Sequence, residues 1–185
     1  LEKFTQVISD KLSLSPQVIL KLLVLGVIFG LTGKLFAYLL GQLKISFAKT
    51  FANPYMRIGV VGLGLSVLLY LIGTGRYTGL GTNLISQSFA GADGKSLITG
   101  ADWILKLLFT VTTIAAGYKG GEVTPLFSIG ASLGVWLAPF FGLPVYLVAA
   151  LGYGAVFSGA TSTTIGPILI GCEVFGFQHW PAFLL

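Results

Sequence analysis

Apolar runs of unequal length alternate along the chain with breaks rich in glycine and proline. Residues 17–43 form the longest run. At about 1.5 Å per residue it exceeds what an upright helix needs to cross a hydrocarbon core of about 30 Å, so it predicts a tilted or projecting membrane helix. Gly26 and Gly30 offer that helix a close-packing face, and Lys34 reads as snorkelling or lining a protein-filled groove. The mixed residues 1–16 before it read as a loop or a short interfacial helix closed by Pro16. The loop after it carries Lys44, Lys49 and Arg57 without an acid, which marks that end as cytoplasmic.

Pro54 opens a second span over residues 56–72, with Gly59, Gly62, Gly64 and Ser66 as small contacts, and the stretch from Gly73 to Gly79 breaks it. Residues 82–89 are too few to span and predict a re-entrant or interfacial helix, followed by a polar turn at 91–95. Asp102 and Trp103 lie at the edge of the next run, where an indole suits the membrane interface, and the helix over 103–116 is too short to cross alone. A further short helix covers 145–157 and is broken by Gly159 to Ser162. The next helix contains residues 165–174 and sets Glu173 near its C-terminal end, against the dipole preference, so this acid needs a partner and reads as structural. The apolar run from Trp180 reads as a helix cut short, and the whole as part of a longer polytopic protein.

Composition turns these runs into a class. Of 185 residues, 55% are hydrophobic and 9% charged, with a mean hydropathy of +0.91, which fits an integral membrane protein and no ordinary soluble domain. The expected fold is all-α: a polytopic membrane helix bundle with short, broken and re-entrant helices, over residues 1–185 as a partial membrane transport domain without a soluble domain. The net charge of +5 is scattered between apolar runs, which reads as loop topology and not as a nucleic-acid footprint. Cys172 is the only cysteine and reads as a small buried apolar residue; His179 is the only histidine and has no partner ligands for a metal, so no cofactor is expected.

The stretch from Gly117 to Gly134 departs most from this apolar background. Gly117, Gly120 and Gly121 permit a sharp turn, Thr124 can cap a helix and Pro125 can begin it. Gly130, Gly134 and Ala138 then give that helix one flat face. Backbone N–H groups at such a break, with a dipole equivalent to about half a positive charge, form an anion site without a cationic side chain. Glu122 beside them either handles protons or gates the site, or else only satisfies the dipole; Lys119 reads as a flanking charge. An intramembrane enzyme would need a metal dyad or an activated nucleophile, but there is no HExxH and Ser128 has no histidine partner. A non-conducting membrane scaffold remains as an alternative class.

At Gly120, Gly121, Glu122, Val123, Thr124 and Pro125 the chain resembles the CLC family of chloride channels and proton-coupled anion antiporters, in which a glycine-rich turn ending in proline starts a helix whose amides contact the central anion. The form GGEVTP, with an acid and a threonine, resembles the fluoride-exporting branch. Gly79 to Ile85 is similar to the glycine-rich entry of a short helix in the family's second half, and Gly152 to Phe175 to the helix pair that follows. The resemblance implies the second of two inverted repeats. The first repeat with the family's gating glutamate, and the terminal helix with its inner-gate tyrosine, have no counterpart here, and Thr164 stands where the family usually has proline. It implies transport of a small halide, fluoride or chloride, with protons as possible co-substrate, in the inner membrane of a bacterial-type cell and as a homodimer. Fluoride/proton antiport is favoured, and a chloride channel or chloride/proton antiporter is the alternative.

Overall fold

The structure, a computed structural model, describes residues 15–90, 98–176 and 183. Expectations for residues 1–14, the turn at 91–95, and the 177–182 segment with His179 and Trp180 lie outside them. The described elements are helices only: α1 (Pro16–Thr50), α2 (Pro54–Gly73), α3 (Thr82–Phe89), α4 (Asp102–Ala116), α5 (Val123–Phe141), α6 (Val145–Thr161) and α7 (Ile165–Phe175). Of these, α1, α2 and α5 are long and apolar enough to cross a membrane.

The punctuation in the sequence sets most boundaries. Ser15 accepts the Val18 N–H as N-cap of α1, with Pro16 in its first turn, and Asn53 accepts the Tyr55 N–H at 2.9 Å before Pro54 opens α2. Two expected helix ends differ from the structure. Helix α1 runs through Lys44 and Lys49 to Thr50, 35 residues or about 50 Å, so those lysines sit on its last turns, where the dipole favours them, and not in a loop. Helix α6 continues through Gly159 to Thr161, because Gly159 is used for contact with α1 and not as a break.

Helix α5 is the centre: 72% of its apolar window is buried, against 6% for α2, which presents its apolar sides outward. The predicted flat face of α5 meets α6. Gly130 and Gly152 face each other so closely that a Cβ on either would run into the other's carbonyl, and one on Gly134 would overlap Val148 and Ala149. On its other side α6 meets α1, where a Cβ on Gly159 would lie 2.6 Å from the Gly30 carbonyl oxygen and one on Gly33 would overlap Val156. The tight face of α1 therefore runs through Gly30 and Gly33, and Gly26 instead lines an apolar cavity of about 360 Å³ between α1, α6 and α7. Phe127 stacks on Tyr153 at 4.1 Å, and Phe175 of α7 closes edge-on against the same tyrosine. Lys21 of α1 donates to the Phe141 carbonyl at 2.7 Å, giving a partner to the end of α5. Cys172 is buried, as expected.

A buried polar cluster ties the α2–α3 turn to α4. Arg76 and Tyr77 both donate to Asp102, while Lys106, 1% exposed, donates to the carbonyls of Tyr77 at 3.0 Å and Gly79 at 2.7 Å. Burial first, and then the hydrogen bond to Asp102, push the Tyr77 phenol up to about 12. Lys106 in the middle of an apolar run was the visible signal, since an ammonium buried there needs acceptors. At Thr164, where the family usually has proline, α7 starts without a side-chain cap; nearby, the Thr161 and Thr163 hydroxyls pair at 2.7 Å and Ser158 donates to the Thr163 carbonyl.

Candidate functional site at the start of the buried helix

The break between α4 and α5 is built by one residue in the left-handed region. Gly117 has φ 106°, and the N–H groups of Gly117 and Tyr118 return to Ile114 and Thr113 at 3.0 and 3.4 Å, closing α4. Arg57 Nε donates to the last α4 carbonyl, Ala116, at 2.9 Å, and the Tyr118 hydroxyl donates to Ile58 of α2, also at 2.9 Å. Residues 118–121 are exposed. Gly120 and Gly121 have no positive φ and nothing within 4 Å of where a Cβ would stand, so the turn does not need them as glycines. Their effect is to leave the backbone open to close approach.

Helix α5 starts two residues earlier than the threonine and proline suggested. Glu122 is the N-cap, without a side-chain cap bond, and its carbonyl accepts the first helical bond, from Leu126 at 3.2 Å. Thr124 and Pro125 are therefore inside the first turn. Tertiary position decides this, because Pro125 is buried and its missing N–H costs nothing in the first turn. The consequence is that the N–H groups of Val123 and Thr124 have no partner among the described residues, and neither has the Thr124 hydroxyl. Deeper in the helix Ser128 and Ser132 satisfy themselves on carbonyls one turn back, at 2.8 and 2.7 Å, so they leave the helix start free.

Val123 borders a cavity of about 300 Å³ lined also by Phe36 and Lys44 of α1, Glu122 and Leu126, and Thr161 of α6; Thr124, next in the chain, is not part of that lining. The cavity lies beside the body of α1 and not at its end. Glu122 is half-buried and reaches this cavity with no hydrogen bond among the described residues; Lys44 shares its wall. Lys119 lies on the exposed turn and does not line it, and Glu173 is exposed on α7 without a partner among the described residues. The arrangement can stabilise a small anion by peptide dipoles and keeps an ionisable carboxyl next to it.

The voltage gated chloride channel family matches residues 2–185. A crystal structure of a CLC-type fluoride/proton antiporter superposes with a TM-score of 0.94 at 54% identity, covering 100% of this chain and 46% of that one. The chloride/fluoride channel protein of Pseudomonas syringae pv. tomato is 38% identical over 162 residues, 84% of this chain and 35% of the relative. The voltage-gated ClC-type chloride channel ClcB of Salmonella typhimurium is 27% identical over 168 residues, 86% of this chain and 40% of the relative. The chain thus spans less than half the length of each. With the family match running along residues 2–185 and the whole fold superposing on a CLC-type structure, this integral membrane chain belongs to the CLC family of voltage gated chloride channels.

Proposed function

We propose that the chain forms one side of a halide pathway, as a partial membrane transport domain that works in fluoride/proton antiport. The observation that carries this reading is the pair of amides, Val123 and Thr124, without partners among the described residues, at a helix start whose Glu122 and Val123 line a cavity. Gly120, Gly121, Val123, Thr124 and Pro125 form the anion-binding segment: the glycines leave room, the amides and hydroxyl donate, and Pro125 fixes the first turn. Fluoride loses more hydration free energy than chloride on entering such a site, so an added hydroxyl donor counts for more with it. Glu122, on the wall of the same cavity, carries or gates the proton. This is transport and not catalysis of a covalent reaction, in keeping with a family of channels and transporters.

Support for fluoride over chloride is the 54% identity to a fluoride/proton antiporter against 27% to a chloride channel. The remaining partners follow the same reading: a lipid bilayer, in a bacterial-type inner membrane, and a second copy of the chain in a homodimer. The test is anion efflux from liposomes holding the protein at its natural full length, fluoride against chloride, with and without a proton gradient. Fluoride efflux that draws on the gradient is expected. Chloride moved as fast as fluoride overturns the selectivity, and a leak equal to that of protein-free vesicles overturns transport.

A further inference from the structure

The turn that carries Glu122 is exposed from Tyr118 to Gly121, so no core packing holds it in place. Two side-chain contacts do. Arg57 Nε donates to Ala116 and the Tyr118 hydroxyl donates to Ile58, each at 2.9 Å, so both sides of Gly117 are fastened to the first turns of α2. The backbone is shaped for these contacts. A Cβ on Gly62, one turn beyond Ile58, would collide with the Tyr118 hydroxyl and lie 2.9 Å from Cζ, its nearest neighbours all belonging to that phenol. A Cβ on Gly117 would meet Arg57 Nη2 at 3.1 Å, besides straining its positive φ. Helix α2 also packs through Leu65 into a small core with Tyr77, Leu84 and Phe109, and the two fastenings add polar contacts at its first turns.

We infer that Tyr118 and Arg57 are positioning residues of the anion site, holding the α4–α5 turn against α2 so that the first turn of α5, with its Val123 and Thr124 amides, keeps one place and Glu122 and Val123 stay on the cavity wall. This rests on the function proposed above. Four residues separate Tyr118 from Glu122 and none of the intervening ones has a bond to another helix, so the phenol is the last fixed point before the free donors. Gly62 is then needed for what it lacks, since only a glycine leaves room for the phenol to reach the Ile58 carbonyl.

The experiment uses the full-length protein in liposomes and in detergent, with Tyr118→Phe, Arg57→Gln, Gly62→Ala and the double variant Gly62→Ala/Tyr118→Phe. Half-saturating fluoride, maximal efflux rate, fluoride affinity by calorimetry and melting temperature are read for each. Loss of one such bond is expected to raise the half-saturating concentration and weaken binding on the order of three- to tenfold, with little change in maximal rate or melting. Gly62→Ala is expected to reproduce the defect in the native background and to add little once the hydroxyl is gone. Wild-type affinity in both Tyr118→Phe and Arg57→Gln overturns the inference, as does a loss of affinity that tracks melting temperature across all variants. A wild-type protein that moves no halide overturns the proposed function and this inference together, whereas a working wild type with indifferent variants overturns the positioning role alone.

Discussion

Arg76 and Asp102 face each other as a doubly bonded pair, Nε to Oδ1 at 3.1 Å and Nη2 to Oδ2 at 3.0 Å. The Tyr77 hydroxyl and the Thr99 N–H complete the carboxylate, each at 2.7 Å, with Asp102 2% exposed and Arg76 25%. Burial by itself would raise the Asp102 carboxyl, but Thr99, Tyr77 and Arg76 together outweigh it and hold the group below its ordinary 3.8. A carboxyl depressed in the folded state lends stability that is complete above its unfolded value and is lost as pH falls through its folded value. Asp102→Asn should therefore cost about 3 kcal/mol at neutral pH, the low end for removing one partner of a buried pair. Melting followed from neutral pH to below about pH 4 should fall more steeply in the wild type than in the variant. Parallel profiles would show that the pair does not carry this stability.

Thr124→Val keeps the shape of the first turn of α5 and removes a hydroxyl that has no partner within the chain. Fluoride binding should weaken by about 1 kcal/mol or more, while melting stays near that of the wild type. Calorimetric titration of the full-length protein with fluoride checks this. Unchanged affinity would take the hydroxyl out of the site.

Glu122→Gln retains the size of the side chain on the cavity wall and abolishes its ionisation. Fluoride should still bind, but efflux should no longer respond to a proton gradient. The comparison is fluoride efflux with and without that gradient, and a response equal to the wild type's would leave Glu122 as an N-terminal charge only.

Gly152→Ala places a methyl group against the Gly130 carbonyl, with the Phe29 ring 3.0 Å away on the other side. The backbones must part, at a cost of about 1–3 kcal/mol, and Gly130→Ala should behave alike. Thermal unfolding in detergent reads both. A variant as stable as the wild type would mean that the two helices have slack here.

The bundle was legible wherever glycine and proline act locally. Residues 82–89 were expected as one short helix and form one, and Pro54 begins α2 as its position required. The sequence reading failed where distant contact decides. Gly159 looks like a helix breaker in isolation, yet its missing side chain is consumed by Gly30, more than a hundred positions earlier. The Arg76–Asp102 pair was hidden for the same reason, since its partners are 26 positions apart on either side of a short helix. At the candidate site the expected helix register was wrong: Thr124 has cap chemistry, yet the helix has already begun at Val123, with Pro125 buried in its first turn.

The glycine contacts on both sides of α6 have a mechanical corollary. Gly130 and Gly152 bring the backbones of α5 and α6 close on one flank, and Gly159 lets α6 approach the Gly30 carbonyl of α1 on the other. Helices α1, α5 and α6 therefore fit together as a set of interlocking backbones, and any shift of one past another must first part these glycine contacts.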